Sequence, residues 1–263
     1  MLECTEAELP EVLDFLRKDI PNCFYMYVDI SKYGLSHPEL SVWTLRDTNG
    51  VTAVVMKYFG NMQVYAHPEA ELSPIAELII KENAPIVTGT AEICDELNKL
   101  MPDRYAVSHG WTFEIEKFRN FSSPLPICIA SDDDLIASAK LICEDENLGS
   151  HCDYENLLRQ LRERRDDGMG RNYVIHKDGE VIGHIATYAE YEDYAVTSGL
   201  IVHPEYRDQP YGTYLESYLM NKLLEEGKRV FTFLRLEKRM KYYRALGQKK
   251  FWHNGKMIRN SGD

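Results

Sequence analysis

Between Gly199 and Gly227 the chain reads as strand, loop and helix, and that succession constrains the rest of the fold more than any other stretch. The apolar run ending at Leu200, Ile201 and Val202 stops at Pro204. A polar loop follows, containing Arg207, Pro210 and Gly212, and an amphipathic helix opens at about Tyr211 and closes at Gly227. A loop that runs straight into a helix N-terminus gathers unpaired backbone N–H groups at the positive end of a helix dipole, which is an anion site. The whole chain has 263 residues, room for one large domain or two ordinary ones.

Charge limits what anion this can be. The formal net charge is −12, which argues against nucleic acid as partner. Local charge differs: Lys228 to Arg259 holds eleven Lys or Arg and one acid, Glu237, either a solvated basic face or the border of an anionic cofactor. No window approaches the roughly 18 apolar residues of a membrane helix, so no membrane partner is expected. Met-Leu-Glu-Cys-Thr-Glu at the start lacks the pattern of a signal peptide. The six cysteines, Cys4, Cys23, Cys94, Cys128, Cys143 and Cys152, show no disulfide framework or metal spacing. They read as thiols of a cytoplasmic protein without a metal.

Along the chain, Thr5 to Glu8 is a capping-box pattern leading an amphipathic helix, and Phe24 to Tyr33 suits a second. Strands are expected at Ser41–Arg46, Val51–Phe59 and Gln63–Ala66, the last stopped by His67-Pro68. Ser73-Pro74 starts a helix, Pro85–Thr88 is a strand, Ala91–Leu100 a helix, and Tyr105–Phe118 extended chain. Asn120 to Pro126 has the composition of a linker. Beyond it the order restarts with a strand at Ile127 and a capping box at Ser131–Asp134. Asp153, in the tripeptide His151-Cys152-Asp153, caps a helix. A hairpin follows around Asp178-Gly179, and Ala195–Val202 enters the opening stretch. After Gly227 come a strand at Arg229–Leu234, a helix at Glu237–Leu246 and a strand at Gln248–Met257.

The two halves therefore read as one plan used twice. The capping boxes at Thr5 and Ser131 are offset by 126, the strands at Val51 and Val181 by 130, and the His-Pro-Glu strand ends at His67 and His203 by 136. Slowly growing offsets are what small loop insertions produce. Two similar α/β domains are expected, residues 1–121 and 122–263.

From about Leu125 to Met257 the chain resembles the GNAT superfamily of acyl-CoA-dependent N-acyltransferases. The resemblance rests on Val202, Pro204, Arg207 and Gly212 at the strand end and loop, with Thr213 and Leu215 following, and on Tyr243 four residues before Gly247. Pro210 replaces the first glycine of the loop pattern, Gln248 stands where Phe is usual, and the asparagine expected near Leu236 is missing. The first half resembles the same fold more faintly. Its counterpart loop, Pro68 to Pro74, carries two acids and neither glycine nor arginine, as in a degenerate copy without a cofactor.

The resemblance implies two tandem GNAT-like α/β (α+β) domains, each a mixed, mostly antiparallel sheet flanked by helices. It implies acetyl-CoA as co-substrate, held by Leu200, Ile201, Val202, Arg207, Asp208, Gln209, Tyr211, Gly212 and Thr213. The backbone of Leu200 to Val202 would pair with the pantetheine arm, and an N–H there would polarise the thioester. It implies an amine acceptor, a small molecule or a peptide, attacking directly. Tyr243 is the expected acid for the departing thiolate, against the alternative of a packed tyrosine. Glu192, in an acidic turn just before the strand, is the expected base. A catalytically inactive module that binds coenzyme A or a partner on a decayed site is the competing reading. No oligomeric state follows from the sequence.

Overall fold

The computed structural model describes residues 1–146, 148, 149 and 152–260. In the first half, β1 (Leu2–Glu3), α1 (Leu9–Arg17) and α2 (Ile20–Tyr33) precede β2 (Leu40–Asp47), β3 (Gly50–Tyr58) and β4 (Asn61–Ala66). Then come α3 (Ser73–Glu82), β5 (Ile86–Thr90), α4 (Ala91–Leu100) and β6 (Tyr105–Ile115). The second half repeats the order: β7 (Ile127–Ile129), α5 (Asp132–Glu144), α6 (Tyr154–Asp166), β8 (Asn172–Lys177), β9 (Glu180–Tyr191) and β10 (Tyr194–Val202). It closes with α7 (Tyr211–Glu225), β11 (Arg229–Leu234), α8 (Glu237–Ala245) and β12 (Phe251–Arg259). The Thr5 capping box forms, but it opens a 3-10 turn at Glu6–Glu8, and α1 starts after it with Pro10 in its first turn.

Compactness divides the chain into two units. The first holds Met1–Thr112, Leu234–Met240 and everything from Phe251 on; the second holds Phe113–Phe233 and Lys241–Lys250. A single cut near residue 122 is therefore not how the contacts group. The physical reason is β12, which pairs antiparallel with β5 from Asn254↔Thr90 to Ile258↔Ile86 and so adds to the first unit's sheet.

In the first unit β2, β3 and β4 form an antiparallel meander, and β4 runs parallel to β5. Alternation along β4 sends Met62 and Val64 into a core with Ile75, Ile79, Val87, Leu97 and Met257. In the second unit β7, β8, β9 and β10 are antiparallel neighbours, and β10 runs parallel to β11. Leu135, Ala139, Leu158 and Leu161 of α5 and α6 pack with Val174 of β8. Leu215, Leu219, Met220 and Leu223 give α7 its buried face against β9 and β10. Ser131 caps α5 reciprocally with Asp134, and Asp153 caps α6 by accepting from the Asn156 N–H at 3.0 Å. His151 lies outside the described residues.

Candidate functional site

Among the departures from regular pairing in the second unit's sheet, two lie toward the end of β10. The parallel pair β10/β11 is registered only from Tyr194↔Arg229 to Thr197↔Thr232, although β10 continues to Val202 and β11 to Leu234. The strands therefore part after Thr197. On the other side of β10, Ser198 pairs with Ala186 and Ile201 with His184, so β10 carries one extra residue in that interval. This is a β-bulge at Gly199–Leu200. Gly199 has φ +63, which an L side chain adopts only with strain, and a Cβ there would lie 2.9 Å from the Tyr188 hydroxyl. In the first unit β4 and β5 likewise pair only at Met62↔Val87 and Gln63↔Thr88, but β4 carries no bulge: it pairs with β3 in unbroken register from Ala53↔Ala66 to Tyr58↔Asn61.

The bulge is pinned from β9. His184 is fully buried, and its Nδ1 lies 2.8 Å from the Gly199 carbonyl oxygen. Its Nε2 lies 3.0 Å from the side-chain amide of buried Asn172. Burial pushes the imidazole pKa down to about 4, against the opposing pull of the Gly199 carbonyl, so the ring is neutral at pH 7. A carbonyl only accepts, so the one proton of the neutral ring is on Nδ1; the atom 3.0 Å from Nε2 is placed as Asn172 Oδ1, and turning that amide end for end puts its Nδ2–H on Nε2 and satisfies both groups. Burial likewise raises the Tyr188 hydroxyl to about 12, keeping it protonated.

Beyond β10 the loop turns through a short 3-10 segment, Pro204–Tyr206, into α7. The α7 N-terminus has no side-chain cap, and Pro210 stands at the capping position without an N–H. The expected set of free donors is smaller than the sequence suggests. Gln209 donates its N–H to the Tyr206 carbonyl at 3.1 Å, within the loop's own turn. Asp208, Tyr211, Gly212 and Thr213 remain without a backbone acceptor outside the helix among the described residues. Gly212 faces the end of β10: a Cβ on it would lie 3.5 Å from Val202 Cγ2 and 4.0 Å from Leu200 Cδ2. The structure thus brings Leu200, Val202 and Gly212 together. Arg207 folds back, its Nε donating to the Val202 carbonyl at 3.0 Å and its Nη2 pairing with Asp145 at 2.8 Å. Asp145 also accepts from the Leu148 N–H at 2.9 Å, which ties the turn after α5 to the loop arginine.

Of the two expected catalytic side chains, one is exposed in a turn and the other is buried. Glu192 sits exposed in the β9–β10 turn at φ +49, its carbonyl accepting from Lys228 Nζ at 2.9 Å. It lies two residues before β10 and Gly199 is the sixth residue of that strand, so the two stand about 20 Å apart at the rise of an extended chain. Its neighbour Glu190 is buried and taken by Arg171 at 2.8 and 2.6 Å and by the Thr187 hydroxyl at 2.6 Å. Tyr243 is fully buried between Phe113 and Phe118, and its hydroxyl donates to buried Glu216 at 2.6 Å. An acid must give its proton to the leaving group, and this proton is held by a carboxylate. The basic run is also partly spent: Arg229 pairs with Glu114 at 2.8 Å and Lys250 with Glu116 at 2.9 Å.

Sequence reading missed the disulfide. Cys143 and Cys152 are bonded, while Cys4, Cys23, Cys94 and Cys128 are free, so the expectation of six thiols is corrected. The end of α5 and the approach to α6 come together there, and no Cys spacing announces that. Among the described residues no group of His, Cys, Asp or Glu is placed to hold a metal, and no helix is long and apolar enough to cross a membrane.

Residues 136–248 match the model of the acetyltransferase (GNAT) family. An amino-acid acetyltransferase of Vibrio atlanticus is 36% identical over 67 residues, 25% of this chain. The matched stretch is only 15% of that relative's length. Among solved structures, a Drosophila protein superposes with TM-score 0.69 at 14% identity, covering 99% of this chain and 98% of its own. A tandem GNAT protein from the clavulanic acid biosynthesis pathway superposes with TM-score 0.61 at 16% identity, covering 100% of this chain and 99% of its own. These likenesses show the fold: two GNAT-like domains in tandem, with the family match in the second half.

Proposed function

Taking a GNAT fold used twice as the premise, we propose that the second half is an acyl-CoA-dependent N-acyltransferase. Its donor is acetyl-CoA and its acceptor an amine, on a small molecule or a peptide. The observation that carries this reading is the parted β10/β11 pair with a bulge at Gly199–Leu200 on its edge. A parted parallel pair leaves backbone groups of Leu200, Ile201 and Val202 open to an extended ligand arm, apart from the Val202 carbonyl that Arg207 takes. The gap ends at an uncapped helix N-terminus suited to phosphate.

In this reading the pantetheine arm pairs along Leu200 to Val202. The pyrophosphate rests on the N–H groups of Asp208, Tyr211, Gly212 and Thr213, with Arg207 beside it and Gln209 shaping the turn. The Leu200 N–H donates to the thioester oxygen, where negative charge develops as the amine attacks the carbonyl carbon. The carbon–sulfur bond then breaks, the thiolate of coenzyme A takes a proton, and the amine loses one. An alkylammonium has a pKa of about 10, so a base must receive that proton, through water if no side chain reaches it. Glu192 is too far along the strand to do so directly, and Tyr243 spends its proton on Glu216.

The first half serves as a cofactor-free support, consistent with its regular β4 and with a counterpart loop that holds Glu69 and Glu71. A cytoplasmic setting belongs to the same proposal; the four free cysteines favour it and the Cys143–Cys152 bridge weighs against it. The placement of Tyr243 and Glu192 favours one second reading, a module that binds coenzyme A without transferring. Thermal shift with acetyl-CoA followed by thiol release across a panel of amines decides. Ligand at 100 times its dissociation constant should add about 2.7 kcal/mol of stability. Release of free thiol that depends on one amine class supports transfer, binding without release supports the module, and no shift at millimolar acetyl-CoA defeats both.

A further inference from the structure

We infer that His184, held by Asn172, is a positioning residue that aims the backbone N–H of Leu200 into the gap beside β10. The inference rests on the proposed acyl transfer and adds a residue to it. A trans peptide unit is planar, with its C=O and N–H pointing in opposite directions. The carbonyl of Gly199 and the N–H of Leu200 belong to one such unit. His184 lies on β9, and its Nδ1–H takes the Gly199 carbonyl at 2.8 Å. With the carbonyl drawn toward β9, the Leu200 N–H points to the other side of β10, where pairing with β11 has ended at Thr197↔Thr232. Neither Gly199 nor Leu200 has a registered partner in β9 or β11. A bulged peptide without ladder bonds can rotate about its flanking dihedrals, so its orientation needs an outside constraint.

Three features make His184 that constraint rather than core filling. Its ring is neutral, so it has one donor; the Gly199 carbonyl at Nδ1 can only accept, which puts the donor there, and the side-chain amide of Asn172, 3.0 Å from Nε2, can turn to donate to the other nitrogen. Tyr188 closes the remaining freedom, its ring and hydroxyl standing within 2.9 to 3.2 Å of the point a Gly199 Cβ would take. The first unit offers the contrast: β4 has no register shift to hold.

The test compares two nonreactive analogues in wild type and variants. Acetonyldethio-CoA, with a methylene in place of the sulfur, keeps a carbonyl where the thioester has one; S-ethyl-CoA lacks it. In wild type acetonyldethio-CoA should bind more tightly, and the change of the affinity ratio between wild type and variant reads the Leu200 donor. His184→Leu removes the donor to Gly199 and should shrink that ratio about tenfold while S-ethyl-CoA affinity stays within about twofold. His184→Asn, which keeps an N–H near the position of Nδ1, should restore most of the ratio and guards against a His184→Leu that does not fold. Turnover should follow the ratio, with kcat/KM for acetyl-CoA falling by at least as much. A ratio unchanged in both variants, or equal losses for both analogues, overturns the inference and leaves the proposed function standing. If wild type binds neither analogue, the proposed function fails and takes the inference with it.

Discussion

Gly212→Ala separates a glycine kept for folding from one kept for a ligand. The residue lies in the first turn of α7, and its φ is not in the left-handed region. An added Cβ would meet Val202 Cγ2 at 3.5 Å and Leu200 Cδ2 at 4.0 Å, ordinary van der Waals distances. The free protein therefore has no steric reason to reject alanine. Helix propensity favours alanine over glycine by up to about 1 kcal/mol, less in a first turn, so the melting temperature should hold or rise by a few degrees. Cofactor binding should move the other way. A methyl group between the helix N-terminus and a bound pyrophosphate pushes the phosphate off by about an ångström. That weakens charge-assisted N–H bonds worth about 1.5–3 kcal/mol each, a loss of about 10- to 100-fold in affinity. Calorimetric titration with coenzyme A, beside thermal denaturation without ligand, reads both quantities. Affinity within twofold of wild type, or a melting temperature that drops by more than about 5 °C, would refute the reasoning.

Other expectations follow from single contacts. His184 has a folded-state pKa of about 4, below its unfolded value, so the unfolded chain binds more protons between about pH 4 and 6.5. Its contribution, on the order of 3 kcal/mol, should be full above pH 6.5 and lost as pH falls toward 4; urea titrations across that range should lose this slope in His184→Asn. Tyr243→Phe removes the bond to buried Glu216 and should cost about 1–3 kcal/mol of stability while turnover stays within about threefold; a hundredfold fall in kcat with unchanged melting would instead make Tyr243 the acid. Alkylation of the denatured chain should tag four cysteines without reductant and six with it. Reduction should lower stability by about 2–3 kcal/mol, the chain-entropy value for so short a loop; six tags without reductant would contradict the bridge.

The elements of both halves were legible because they depend on local signals. Ser131 and Asp153 cap the helices they announce, and Asp178-Gly179 turns the expected hairpin. The loop from Arg207 to Gly212 was legible too, since proline, arginine and glycine at those spacings restrict the backbone by themselves. What depends on a partner was not. A bulge exists only relative to the facing strand, so Ser198-Gly199-Leu200 shows it only after β9 is in register, although a glycine inside a strand is its usual signal. His184, between Ile182 and Ile185, reads as a lone histidine in an apolar strand until the Gly199 carbonyl comes within 2.8 Å. The placing of β12 beside β5, the Cys143–Cys152 bond and the Tyr243–Glu216 pair likewise join distant residues. Glu192 is near the strand in sequence, and an extended strand turns such nearness into about 20 Å.

The central claim is that this chain holds one acyl-CoA, in the second half, where β10 meets the N-terminus of α7. Calorimetric titration of the full chain with acetyl-CoA tests it most directly. One site per chain is expected, lost in Gly212→Trp; two sites, none, or a single site untouched by that substitution would rule out this placement.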